Sequence, residues 1–401
     1  MTRLNARKFS SPDWLAMISP QRLTAFLSRW APYLRSRGFT LPAAAEDSFD
    51  YSALSAVLMS PAATTPADLI DALYHVHETS TPEDMDALSA AAEASGICIP
   101  DSPAATPADL AVAIWNADAD LVRDRHAETT ARRQQQVTYF AGKHAEKRPF
   151  PPMDVAKRTV IEADLNEWFL SHRRGSGCRL SVFRQTPMVW LLIRHGQPMR
   201  REASQNDAGE TDAEFYRPQH HDVLVYDERY GELGVHAGTK GERELYLSTV
   251  GKHLFDDSDH FPTAKKFTLS PLITDGFRAL TCADVDGVEA VKLVEYQCFW
   301  GGQHKETEIR RSTDVFAALQ ARGREAQLPA VPSAAVFMFT FSDAPKARRV
   351  VIRPPAVARY ERNEDSERVE HWLRARQFMT SQLAGDDDDA ATATAVLEGA
   401  A

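Results

Sequence analysis

The chain has 401 residues, 43% of them hydrophobic and 25% charged, and its formal net charge at pH 7 is −10. These proportions are ordinary for a globular protein, and the length predicts two or three domains. No apolar run approaches the roughly 20 residues of a bilayer-spanning helix, so we expect no membrane partner. The four cysteines are scattered without a Cys-x-x-Cys motif, which argues against a disulfide framework or a zinc site and favours a cytoplasmic protein.

The first zone of the chain predicts helices. Residues 19–38 carry apolar side chains at helical spacing and end at a glycine. Three later segments begin with the same pattern, Thr-Pro-x-Asp, at Thr65, Thr81 and Thr106. In each, the threonine suits the N-cap, the proline suits the first turn, and the carboxylate favours the positive end of the helix. The unequal spacing of the three starts indicates a helical bundle rather than a solenoid.

This zone has a strongly one-sided charge. Residues 38–121 contain no Lys or Arg and fourteen Asp and Glu. Such a run produces a negative field, which should repel nucleic acid and attract a basic surface. We therefore expect the acidic region 38–121 to bind a partner protein, or a basic part of the same chain.

The rest of the chain alternates between helical and strand patterns. A helix over 120–139 and a proline-rich linker at 147–154 precede a mixed zone with two predicted hairpins, one around "RQTP" and one around "ERYG". The polar segment 201–218 between the hairpins predicts a mobile loop. Further strands and helices follow to about residue 380, and we expect the strands to pair mainly antiparallel.

These patterns predict an α+β protein. An acidic N-terminal helical bundle is followed by a mixed, mainly antiparallel α+β body and by a disordered acidic C-terminal tail. The expected divisions are a helical domain at 1–146, an α+β domain at 147–279, its α+β continuation at 280–381 and the tail at 382–401. The segments 147–279 and 280–381 can pack together as one unit.

The stretch "LLIRHGQP" resembles the signature of the histidine phosphatase (phosphoglycerate mutase) superfamily, in which an apolar strand ends in Arg-His-Gly. The resemblance implies that His195 is phosphorylated, with Arg194 and a second histidine binding the phosphoryl group. It covers about eight residues, and the one candidate for the second histidine is His236, which follows only 41 residues later. The family has a long helical insertion at that place. We therefore keep a phosphoryl hydrolase as an alternative and favour a hairpin strand end.

A second alternative is a divergent metal-dependent nuclease. Such an enzyme needs two acids and a lysine around a catalytic ion, and Asp222, Glu232 and Lys240 occur in a suitable order. The Glu-x-Lys motif is absent, because Glu232 and Lys240 are eight residues apart. The pair His220-His221 does not predict a metal site, since adjacent strand residues point to opposite faces. We expect no metal and no cofactor.

One region is basic within this acidic chain. Residues 138–201 have twelve Lys and Arg against five Asp and Glu, a net charge of +7. The candidate binding face consists of Arg173, Arg174, Arg179, Arg194, Arg200 and Arg201. Arginines near aromatic residues are typical of nucleic-acid contacts, but the same charges can also pair with the acidic helices.

No complete catalytic set emerges from these motifs. The leading hypothesis is a cytoplasmic, non-enzymatic interaction or regulatory protein that binds a partner protein, with a local nucleic-acid-binding face as a further candidate. The high usage of Ala, Arg and Asp is typical of a GC-rich prokaryotic source.

Overall fold

The computed structural model is that of an α+β protein, as predicted. It describes residues 6–42, 49–62, 64–99, 105–143, 149–205, 209–262, 264–301, 303–323, 328, 330–362 and 365–380. The predicted disordered tail at 382–401 lies outside these residues. The chain divides into two compact units, Met1–Thr130 with Arg201–Phe215, and Ala131–Arg200 with Tyr216–Ala401. None of the helices that the structure describes is both long and apolar enough to cross a bilayer.

The first unit is built from short helices around one apolar core. Its helices are α1 (Pro12–Leu15), α2 (Pro20–Ser28), α3 (Ala31–Ser36), α4 (Tyr51–Leu58), α5 (Ala67–Thr79), α6 (Pro82–Ala94), α7 (Pro107–Ala117) and α8 (Ala119–Arg132), preceded by a 3-10 helix at Arg7–Ser10. The core includes the apolar side chains at helical spacing that were noted in residues 19–38, and Leu23 and Leu27 are fully buried. The predicted bundle of short helices is therefore present.

Two of the three predicted threonine caps are confirmed. The hydroxyl groups of Thr81 and Thr106 accept hydrogen bonds from the backbone N–H groups of Asp84 and Asp109, three residues further on. The prediction for Thr65 was wrong, because Pro66 is the N-cap of α5 and makes no side-chain cap. The Thr65 hydroxyl instead hydrogen bonds to Tyr33 and to the backbone N–H of Ala62. The Thr65 hydroxyl therefore contacts Tyr33, which is distant in the chain, and does not cap α5.

The acidic run is partly neutralised within its own unit. Arginines from just outside residues 38–121 pair with acids inside it: Arg22 with Asp109, Arg29 with Asp68, Arg123 with Asp71 and Asp120, and Arg125 with Asp84. The negative charge of this region is therefore smaller than the sequence count suggests.

The second unit contains a ten-stranded sheet. Its strands are β1 (Gln136–Ala141), β2 (Arg179–Gln185), β3 (Met188–Gly196), β6 (Gln219–Asp227), β7 (Glu232–His236), β8 (Val288–Gly301), β9 (Glu306–Arg311), β10 (Ala334–Phe341), β11 (Arg348–Arg353) and β12 (Val357–Arg359). A separate two-stranded sheet is formed by β4 (Arg200–Gln205) and β5 (Thr211–Tyr216). The order in the large sheet is β2-β3-β6-β7-β1-β12-β11-β10-β8-β9, and every neighbouring pair is antiparallel.

Helices cover the two halves of this sheet on opposite faces. They are α9 (Val155–Ser171), α10 (Lys240–Phe255), α11 (Pro271–Thr274), α12 (Val315–Gln320) and α13 (Ser366–Ala375), with a 3-10 helix at Gly276–Leu280. Helices α9 and α10 share a core with β2, β3, β6 and β7. The other helices share a core with β1 and the strands beyond it. Strand β1 joins the halves, since Phe140 faces the first core and Tyr139 the second.

Three expectations about local structure were wrong. The helix predicted over 120–139 ends at Arg132, and β1 follows inside the predicted helical domain 1–146. The predicted mobile loop at 201–218 contains β4 and β5. The short or polar strands β9 and β12 were not predicted. In each case the strand is formed by pairing with a partner strand and not by its own apolar pattern.

The pairing of Arg22 with Asp109 gives a test of this fold. Asp109 is buried and also accepts a hydrogen bond from the backbone N–H of Ser19 at 2.9 Å. We expect Asp109→Ala to lower the free energy of unfolding by about 3 kcal/mol, because it leaves Arg22 without its buried counter-charge. Urea denaturation followed by circular dichroism measures this. The exposed Asp86→Ala is the matched control and should change the value by less than about 0.5 kcal/mol; equal effects would contradict the role of the pair.

Candidate functional site

His195 is held in place at both ring nitrogens. It lies near the end of β3 and is 2% exposed. Nε2 lies 3.0 Å from Oδ2 of Asp222, Nδ1 lies 2.9 Å from the carbonyl oxygen of Gly196, and the ring stacks on Phe169 with centroids 4.2 Å apart. Both ring nitrogens of His195 therefore already face an oxygen atom of the protein.

Asp222 is the centre of this group. Its side chain is fully buried, and Oδ2 also accepts a hydrogen bond from the hydroxyl of Tyr246 at 2.5 Å. Oδ1 lies 3.3 Å from Nε2 of His220. Burial by itself would raise the pKa of Asp222, but the bonds from His195, His220 and Tyr246 outweigh it and hold the pKa well below its usual range. Asp222 is therefore an ionised carboxylate inside the protein.

Glu242 completes the cluster from the first turn of α10. Its Oε1 accepts a hydrogen bond from the guanidinium of Arg174, and its Oε2 accepts one from the hydroxyl of Thr239 at 2.8 Å. Donor atoms of His195, Asp222 and Glu242 all lie within 4.8 Å of one another, which is close enough to hold a metal ion. However, Arg174 already pairs with Glu242, and Asp222 already accepts a hydrogen bond from Tyr246 and lies beside His195 and His220. We interpret the group as a buried polar network, which links the α9–β2 connection, β3, β6 and α10.

The glycine of the Arg-His-Gly triplet has a packing role. The carbonyl oxygen of Arg174 lies against Gly196, where the Cβ of any other residue would collide with it. The triplet that resembles a phosphatase signature thus supports the approach of the α9–β2 connection to the end of β3.

The candidate phosphatase residues are not brought together. His195 pairs with His220 across the β3–β6 ladder, and Arg194 pairs with His221 on the opposite face. His236 pairs with Val223, so it shares the face of Arg194 and not that of His195. The two histidines therefore lie on different sides of the sheet.

The candidate nuclease residues are also separated. Asp222 faces α10, whereas Glu232 is on the other face, where its Oε2 accepts a hydrogen bond from Lys266 Nζ at 2.6 Å. Lys240 is exposed at the start of α10 and lies 3.9 Å from Glu244. These three residues do not converge on one ion.

The predicted basic face is divided by the structure. Arg174 is committed to Glu242, and Arg201 belongs to the other compact unit. Arg173 and Arg200 are exposed. Arg179 and Arg194 are exposed and directly opposite each other in the β2–β3 ladder. Like charges in this position repel each other. Within the described structure Arg194 makes no ion pair, whereas Arg179 lies 3.8 Å from Glu162 and donates a hydrogen bond to the carbonyl oxygen of Cys178 at 3.1 Å.

A cleft of about 430 Å³ lies elsewhere on the second unit. It is bounded by the face of β3 and β6 that points away from α9 and α10, by the turn between β2 and β3, and by the first turns of α13. Its lining residues are Tyr139, Gln185, Thr186, Pro187, Met188, Trp190, Val225, Asp227, Arg229, Arg362, Ser366, Glu367 and Glu370. The sequence analysis missed this cleft, because the residues come from distant segments with no common motif.

No protein-family model matches this chain, and no curated protein was found that resembles it in sequence.

The adjacent histidines 220 and 221 test the geometry of the cluster. The hydrogen bond to Asp222 raises the pKa of His220 despite partial burial, whereas burial and the charge of Arg194 lower the pKa of His221 to about 4. NMR titration of the imidazole protons should show both shifts. Asp222→Asn should lower the pKa of His220, and Arg194→Gln should raise that of His221.

The sign of the pH effect follows from the raised pKa of His220. Its contribution to stability is complete below the unfolded pKa and is lost as the pH rises through the higher folded pKa. The variant His220→Gln should therefore be most destabilised, relative to the unaltered protein, on the acidic side of this window. Identical titration of both histidines would contradict the arrangement.

Proposed function

We propose that this protein is a non-enzymatic interaction protein that binds a basic partner protein through its helical unit. The observation that carries the proposal is an acidic stripe on α6, formed by Glu83, Asp86 and Glu93. All three are exposed, and none has a charged or hydrogen-bonding side-chain partner among the described residues. Their spacing places them along one side of the helix.

The stripe stands out because its neighbours are neutralised. Asp84 on the same helix is buried and bonded to Arg125 at 2.6 Å, and Asp109 on α7 is bonded to Arg22. These acids serve the fold. Glu83, Asp86 and Glu93 instead keep their negative charge at the surface, where it can attract a basic partner and orient its approach.

A binding role is also favoured over catalysis by the state of the candidate catalytic groups. His195 and Asp222 contact each other inside the protein, Glu242 pairs with Arg174, and burial raises the pKa of the Cys178 thiol to about 12. A thiol with such a pKa is not a nucleophile at neutral pH. The four cysteines are free, in keeping with the cytoplasmic location that we propose.

A second candidate function is nucleic-acid binding by the β2–β3 hairpin. Arg179 has a 3.8 Å contact with Glu162, and Arg194 makes no ion pair within the described structure, so a phosphate group placed between the two arginines would pair with both. Arg174 is left out of this face because it holds Glu242.

Neutralising the stripe tests the main proposal. The full chain is immobilised, and the amount of each co-purified protein per bait is measured by mass spectrometry. Glu83→Gln/Asp86→Asn/Glu93→Gln should reduce the recovery of a stoichiometric partner at least tenfold, and added salt should reduce it for the unaltered chain.

The matched control is Asp286→Asn/Glu289→Gln/Glu306→Gln, which removes the same charge from exposed positions on the second unit. It should retain the partner. Equal recovery by the α6 variant and by the unaltered chain would contradict the assignment to α6, and the absence of any stoichiometric partner would contradict the binding proposal.

Fluorescence anisotropy with a 20-nucleotide single-stranded DNA tests the second candidate. Arg179→Ala/Arg194→Ala should weaken binding. It should also reduce the slope of log K against log salt by about 1 for each phosphate contact that is lost, and thus by about 1 to 2 in total. The control Arg322→Ala/Arg353→Ala removes two exposed charges elsewhere. Binding that both variants change equally, or that does not respond to salt, would exclude a site at the hairpin.

A further inference from the structure

The floor of the cleft holds an unusual concentration of buried charge. Glu370 accepts hydrogen bonds from the hydroxyl of Tyr360 at 2.8 Å and from Arg374 at 3.0 Å. Burial would raise the pKa of Glu370, but Lys266, Tyr360, Arg362 and Arg374 together lower it, so the carboxylate is ionised. The interior here contains formal charges rather than neutral polar groups.

Most of these charges are paired. Asp227 accepts two hydrogen bonds from the guanidinium of Arg229, at 3.0 and 2.7 Å. Lys266 is bonded to Glu232 and lies 3.9 Å above the ring of Tyr139. The carboxylates lining the floor, Asp227 and Glu370, are thus already occupied by cations of the protein.

Arg362 is the exception. It is 8% exposed, and it makes no ion pair with a carboxylate of the described residues. Nη1 donates to the hydroxyl of Tyr139 at 2.5 Å, Nη2 donates to the carbonyl oxygen of Gln135 at 3.3 Å, and Nε has no hydrogen-bond partner. Glu370 is near enough to stabilise this charge electrostatically but forms no ion pair with it, and an anion in direct contact with the buried guanidinium would stabilise it further.

The residues that line the cleft indicate the size and the chemical class of a ligand that could contact Arg362. Tyr139, Trp190 and Met188 give the cleft an aromatic and apolar wall beside Arg362. Its volume of about 430 Å³ is within the range of small-molecule sites, which are mostly apolar with a few fixed polar groups. The exposed carboxylate of Glu367 lies at the rim and would repel a second negative charge.

We propose that this cleft binds a small aromatic ligand with one anionic group, a carboxylate or a phosphate, which pairs with Arg362 while the ring lies against Trp190 and Tyr139. The planar guanidinium suits either head group, because both accept paired N–H donors. This site is independent of the acidic stripe on α6 and of the partner proposed for it.

Isothermal titration calorimetry on the full chain tests the proposal with three probes of known chemistry. Indole-3-acetate and phenyl phosphate carry the two candidate head groups, and indole is the neutral analogue. We expect saturable binding of at least one anionic probe, at least tenfold tighter than that of indole. The tighter of the two anions identifies the head group.

Two variants locate the binding. Arg362→Gln should weaken the anionic probe about tenfold or more, as expected for the loss of a charged hydrogen bond, with little effect on indole. Because the removal of a buried arginine can itself destabilise the fold, Ser366→Trp provides a second approach by filling the cleft from the rim. His371→Trp, on an exposed position of the same helix, is its control.

Glu367→Gln should leave the anionic probe bound equally or more tightly. Anionic probes that bind no better than indole would overturn the proposal. So would tight binding that Ser366→Trp leaves unchanged while the variant remains folded by circular dichroism.

Discussion

Successive residues of a strand point to opposite faces, and this alternation across ten antiparallel strands decides which charged groups of the second unit can meet. His195, His220 and Asp222 share one face and gather against α10. Glu232 and Asp227 share the other face and meet Lys266 and Arg229. Because the register of β3, β6 and β7 is continuous over their full pairing, a one-residue shift would exchange these sets and leave buried charges without partners.

Charge compensation is the second requirement, and it follows from the first. A charge removed from water must find a counter-charge or hydrogen bonds. Asp222 finds His195, His220 and Tyr246, while Glu242 finds Arg174. Residues that look catalytic in the sequence are therefore buried in contacts that stabilise the fold. In the Arg-His-Gly triplet, Arg194 is exposed, the His195 ring stacks on Phe169, and Gly196 allows the close approach of two backbones.

Some charged groups that make no close ion pair are the ones that suggest function. In the helical unit these are the three carboxylates of the α6 stripe, and in the second unit they are Arg362 in the cleft and Arg194 of the β2–β3 hairpin, which faces Arg179. Each is distinguished by comparison with similar residues nearby that do have partners. The three features differ in sign, exposure and shape, so they suit different ligands: a basic protein surface, a small aromatic anion and a phosphate backbone.

Local signals in the sequence determined a large part of this structure. The caps at Thr81 and Thr106, the hairpins β2–β3 and β6–β7, and the α+β class depend on contacts between residues close in the chain, and their patterns are readable without a partner. Tertiary structure decided the rest. Strand β1 was predicted as helix because its identity depends on pairing with β7 and β12, and Thr65 lost its capping role to Tyr33. The neutralisation of the acidic run by flanking arginines, the separation of His195 from His236, and the cleft around Arg362 all arise from segments far apart in the chain, whose meeting no local pattern records.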